Sequence, residues 1–177
     1  MSSSSTNKQP LLIDRPLFKI VGVGETAALS TPTNLQSLVP AGLRLLVDSG
    51  SDGCMIDSIT AVGPETGITA ARLIVVASEQ PTAAGLNSSN AWTVASADFL
   101  SLSLGQRTNL PLLPLLAPVP NLASPAATVA AYPSELDKKN TGLILPRGWY
   151  LYAGASVILQ SSFGPSQAIV VAQGGFY

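Results

Sequence analysis

The chain has 177 residues, 46% hydrophobic and only 11% charged, with a formal net charge of -1; average soluble proteins carry about 25% charged residues. So little ionic surface fits either a large core under a Ser/Thr/Asn surface or an exterior that is largely interface, and the second is expected because apolar patches beyond a few hundred Å² find partners. There is no histidine, which removes Ser-His-Asp, Cys-His and imidazole-metal chemistry together, and no run approaches the roughly 20 apolar residues of a membrane-spanning helix.

In chain order, residues 1–9 are polar and Ser-rich, with neither the basic start nor the apolar core of a secretory signal, so synthesis in a cytoplasm is expected. A segment of this kind cannot offset its own ordering entropy. The expectation is therefore an extended N-terminal arm, residues 1–15, laid on a neighbouring subunit, with Ser2, Ser3, Ser4, Lys8, Pro10 and Leu11 as interface candidates. Asp14, Arg15 and Pro16 favour an extended entry to the first strand, residues 17–23. Residues 26–39 read as a loop with room for a helical turn at 34–38, and residues 41–47 as a strand. Asp48, Ser49, Gly50, Ser51, Asp52 and Gly53 have the composition of a reversing turn. A strand at residues 54–62 follows, and the pair is expected to form a hairpin.

Residues 69–78 are the strongest central-strand candidate, with Leu73, Ile74, Val75 and Val76 at their heart. The strand expected at 92–104 ends in strict alternation, Leu100, Leu102 and Leu104 against Ser101 and Ser103. From 109 to 125 five prolines interleave with leucines, which excludes a helix or a central strand but permits an extended run over an apolar surface. Leu113 and Leu116 are its interface candidates. A weaker strand at 126–132 precedes the charged segment 134–140. The last third, 141–177, alternates short apolar runs with tight breaks, and strands are expected at 143–145, 149–152, 157–159 and 168–172. These carry apolar residues on both faces, so part of the sheet is covered on each side. Alternation puts Trp149 and Leu151 on one face and Tyr150 and Tyr152 on the other. With Phe176 and Tyr177 this aromatic cluster reads either as a sugar-stacking platform or, the expectation, as a core Trp149 with the tyrosines packing at an edge or against a partner.

Many short strands and no sustained helical period mean an all-β fold. The expectation is a two-sheet sandwich, jelly-roll-like, at residues 16–177, with the extended arm and the proline-rich extended segment as appendages.

The sequence holds few residues arranged for chemistry. Cys54, the single cysteine, reads as a buried small hydrophobe. The four lysines stand in no serine-lysine motif, and a two-carboxylate site would have to draw on ten acidic residues, several in expected turns. Asp48, Asp52 and Gly53 imitate the start of a calcium loop, but Ile59 stands where the bidentate Glu is required. Gly22 and Gly24 lack the third glycine of a dinucleotide fingerprint. Five scattered arginines form no nucleic-acid footprint. Neither catalytic residues nor a metal or cofactor site is read from the sequence.

The arrangement Gly142, Leu143, Ile144, Leu145, Pro146, Gly148, Trp149, Leu151 and Ala153, with the ending Gly174, Gly175, Phe176, Tyr177, resembles small β-rich virion proteins of tailed bacteriophages. The strand Ala71, Arg72, Leu73, Ile74, Val75, Val76 fits the same pattern, and the group resembled is that of capsid decoration, or cement, proteins. The resemblance implies a non-enzymatic homo-oligomer such as a trimer. Its partner would be the major capsid protein or another virion protein on the outer surface of a head shell. It implies no nucleic-acid or membrane partner and no cofactor. A tail, baseplate or fibre component and a carbohydrate-binding module are the alternative readings.

Overall fold

The computed structural model describes residues 15–24, 42–63, 71–87, 90–99, 107–110, 112–118, 142–156, 159–161, 164–165 and 167–177. Regular structure there is β throughout, apart from a 3-10 turn at Ala83–Gly85. The strands are β1 (Arg15–Val23), β2 (Arg44–Asp48), β3 (Cys54–Val62), β4 (Ala71–Ser78), β5 (Trp92–Phe99) and β6 (Arg107–Leu110). They continue as β7 (Leu112–Pro118), β8 (Leu143–Leu145), β9 (Tyr150–Ala155), β10 (Gln160–Ser161), β11 (Gly164–Pro165) and β12 (Ala168–Phe176).

Two five-stranded antiparallel sheets face one another. The first runs β1-β12-β3-β6 with β8 also on β3, the second β2-β9-β4-β5-β7, and β10-β11 form a separate short pair. Pairing is nested: β1 lies on β12, β2 on β9, β3 on β6 and β4 on β5. Two further ladders, β12 on β3 and β9 on β4, close the nest into sheets.

One core joins the sheets, as the period-2 pattern requires. Leu17, Ile56, Ile59 and Val170 enter it from the first sheet, and Val47, Leu73, Val75 and Leu151 from the second. Trp149 packs against this core partly buried. Cys54 lies within it, fully buried, as expected of a small hydrophobe.

The expected hairpin between β2 and β3 is not formed, because β2 pairs with β9 and β3 with β12. Each of the two strands has an apolar face, and both faces belong to the same core. The strands therefore stand opposite one another across the sandwich, and the turn crosses the roughly 10 Å between sheets. Gly53 makes that crossing with φ 88, and a Cβ there would stand 2.9 Å from the Leu145 carbonyl oxygen.

β4 is central in its sheet, as its unbroken apolar run predicts. β7, holding Pro114 and Pro118, closes one edge of that sheet, where a missing N–H costs least. The run expected as a strand at 157–159 is described only at Leu159, which is buried outside any strand and donates its N–H to Gly24 O at 2.8 Å. Arg15, the last residue of the expected arm, belongs to β1, while residues 1–14, the helical turn at 34–38, the alternating leucines 100–104, the strand at 126–132 and the charged segment 134–140 lie outside the described residues.

Candidate interaction surface

The two sheets treat their outer faces differently. On the second sheet Ile74, Val76 and Tyr152 point away from the main core and, with Leu43, form a second apolar cluster beneath Leu86 and Ala91. The covering segment follows β4 and is tied down by polar bonds. Tyr152 Oη donates to Gln80 O at 2.7 Å, and Ser78 Oγ donates to Asn90 O at 2.7 Å. Asn90 Nδ2 donates to Gly85 O at 2.9 Å. The expectation that part of the sheet is covered on both faces holds here.

The first sheet leaves three of its outer apolar residues in the open. Phe18 is 58% exposed, Ile20 57% and Ile144 64%, three of the five exposed large hydrophobic residues among those described. Register places them on one face. Ile20 lies opposite Val171, which lies opposite Thr60, and Gly22, Ile169, Val62 and Arg107 form the next row. At the other end Gly175, Met55 and Ile144 share a row. Val62, Ile169 and Val171 are half-buried. Asp57 stands exposed where β3 bulges between Ile56 and Ser58. Of the residues alternating with Phe18 and Ile20, Leu17, Val21 and Val23 pack in or against the main core and Lys19 is exposed, so β1 is largely apolar on both faces at the edge of its sheet.

The end of the sandwich nearest Gly53 is locked rather than open. Ser49, buried, donates from Oγ to Pro146 O at 2.7 Å and accepts from the Trp149 N–H at 3.0 Å. Its own N–H donates to Trp149 O at 3.0 Å, and Gly148 N–H donates to Gly50 O at 3.1 Å. Arg15 lies over the Phe176 ring, 5.5 Å from its centroid.

Of the residues singled out by sequence, Ser2, Ser3, Ser4, Lys8, Pro10 and Leu11 lie outside the described residues, and for Leu113 and Leu116 only the backbone, in β7, is described. Tyr150 is half-buried, its ring 6.5 Å from that of Tyr152. Tyr152 is 1% exposed and committed to its own covering loop, not offered to solvent. Tyr177 is half-buried and donates its backbone N–H to Gly53 O at 3.3 Å. Phe18, Ile20 and Ile144 are the residues that sequence reasoning passed over. The signal for Phe18 and Ile20 is the apolar character of both parities in the first strand, and for Ile144 the unbroken apolar run Leu143–Leu145, each legible as a strand but not as an exposed face.

Groups able to do chemistry are sparse. Burial, with the Asp48 carboxylate adding to it, pushes the Cys54 thiol up to about 11, far from a reactive thiolate. Burial, then the neighbouring Tyr150 and Asp48, raises the Tyr152 phenol as well. The calcium-like turn is held by its own atoms, with Asp48 Oδ1 accepting the Gly50 N–H at 2.8 Å. Among the described residues no three His, Cys, Asp or Glu side chains gather to hold a metal ion, and no helix is long and apolar enough to cross a membrane. Compared with protein-family models, with curated proteins and with solved structures, the chain matches none.

Proposed function

We propose that this chain is a non-enzymatic virion structural protein, a capsid decoration protein that associates with itself and binds the outer surface of a phage head. The nested strand order carries this reading. β1 on β12, β2 on β9, β3 on β6 and β4 on β5 amount to one long antiparallel hairpin rolled into two facing sheets. This nested order supports reading the sandwich as jelly-roll-like, an architecture of viral capsid domains. The resemblance of residues 142–177 to phage virion proteins and the low charge of the whole chain point the same way.

Sedimentation with and without empty phage heads tests it. Co-sedimentation that saturates and raises the heat stability of the head supports the role, and a chain left in the supernatant at every concentration ends it. Jelly rolls also serve lectins, and Trp92, 37% exposed at the start of β5, favours a carbohydrate-binding module as the second reading. Quenching of tryptophan fluorescence by host polysaccharide, without head binding, would favour that reading instead.

A further inference from the structure

We infer that the outer face of the first sheet is a two-fold contact surface between copies of this chain. Phe18, Ile20 and Ile144 project from it more than half exposed. On the opposite sheet Ile74, Val76 and Tyr152 are covered from within the chain, and only Leu45, opposite Tyr152 on the edge strand β2, stays exposed among the described large apolar residues of that face. On the first sheet Phe18, Ile20 and Ile144 stay in the open, while Val62, Ile169 and Val171 beside them are half-buried and the Gln167 side chain lies against Gly22.

Size and charge select a second copy as the occupant. Four strands about 4.8 Å apart and seven residues at about 3.4 Å pitch give a plan of roughly 450 Å². That matches the low, transient end of specific interfaces, which bury less than about 600 Å² per partner, and suits a concentration-dependent dimer. Among the described residues the face carries one exposed base, Arg107, beside Val62, and one exposed acid, Asp57, at the β3 bulge. These lie on different strands and in different rows, so the face is neutral and electrically self-complementary. In an isologous contact residue i meets residue j and j meets i. Arg107 of each copy then meets Asp57 of the other while the apolar residues of β1 and β12 are buried between them. A partner with a strongly charged surface would leave one of these two charges opposed by its like.

This deepens the self-association part of the proposed function, and it predicts two-fold symmetry where the resemblance implies a trimer. The test uses the isolated full chain, so head binding is decided separately. Sedimentation velocity across about two decades of concentration follows the monomer–dimer equilibrium by mass action. Ile20→Glu is expected to abolish the dimer. Asp57→Arg and Arg107→Asp are each expected to raise Kd about tenfold, and the double variant to recover most of that loss. Near-ultraviolet circular dichroism checks that each variant is folded, which surface positions favour, and Phe18→Ser serves if Ile20→Glu does not fold. A wild-type monomer throughout, an assembly indifferent to Ile20→Glu, or a double variant no tighter than either single one overturns the inference.

Discussion

Ser49 and Trp149, 100 residues apart in sequence, are joined in both directions: the Trp149 N–H donates to Ser49 Oγ at 3.0 Å and the Ser49 N–H to Trp149 O at 3.0 Å. With Ser49 Oγ also donating to Pro146 O, one buried hydroxyl ties the turn after β2 to the turn before β9. Ser49→Ala removes both hydroxyl bonds and leaves Pro146 O to the weaker 3.2 Å bond from the Trp149 N–H. The expected loss is about 1–3 kcal/mol, read as a lower urea midpoint with an unchanged slope.

Gly53 tolerates no side chain. Its φ of 88 lies in the left-handed region, and a Cβ would press against the Leu145 carbonyl oxygen, which is backbone and does not swing away. Gly53→Ala is expected to cost at least about 1–2 kcal/mol from conformation alone. Gly50→Ala, with a φ of 68 but nothing within 4 Å of the added atom, is expected to cost less. Equal midpoints for the two variants in chemical denaturation would refute the role given to the close approach.

Tyr152→Phe keeps the ring in the second cluster but removes the bond to Gln80 O. Global stability is expected to fall by about 0.5–1.5 kcal/mol. Because that bond fastens the segment after β4, amide exchange around Gln80 and the Ala83–Gly85 turn should accelerate more than exchange within β4. Uniform acceleration would mean that the hydroxyl supports the whole sandwich and not its cover.

Cys54 sets a pH dependence whose sign is fixed by burial. Its thiol titrates near 9.0 when exposed and is pushed up to about 11 in the fold. Between those values the unfolded chain has released a proton that the folded chain retains, so stability falls as pH rises. The contribution is complete below pH 9 and is lost progressively toward pH 11, with the raised Tyr152 phenol acting in the same direction above its ordinary 10.0. Urea midpoints for wild type and Cys54→Ala should converge over this interval. At pH 8 a thiol reagent is expected to label the chain only on unfolding; rapid labelling of the native state would contradict the inertness derived from burial.

Much of the strand content was legible in the sequence. The strand expected at 54–62 has the observed bounds Cys54–Val62, and β4 and β12 lie where their β-branched runs place them. β propensity, alternation and Gly or Pro punctuation are carried by neighbouring residues and survive in a one-dimensional reading. The partner of each strand is not local. The turn at 48–53 has the composition of a hairpin turn, yet it carries the chain between sheets because β9 and β12 compete successfully for the two strand edges.

Phe18 and Tyr152 mark the same boundary at the surface. Each is a large apolar residue pointing away from the main core on a strand whose alternate residues enter it. One is 58% exposed and the other 1%, because the segment after β4 lies over the second and no described residue lies so over the first. By itself the amino-acid order determined that this chain makes short, two-sided β-strands with little charge and no imidazole, since those are properties of residue type and spacing. Which apolar residues became core and which became surface was decided only in three dimensions, where burial depends on atoms far away along the chain.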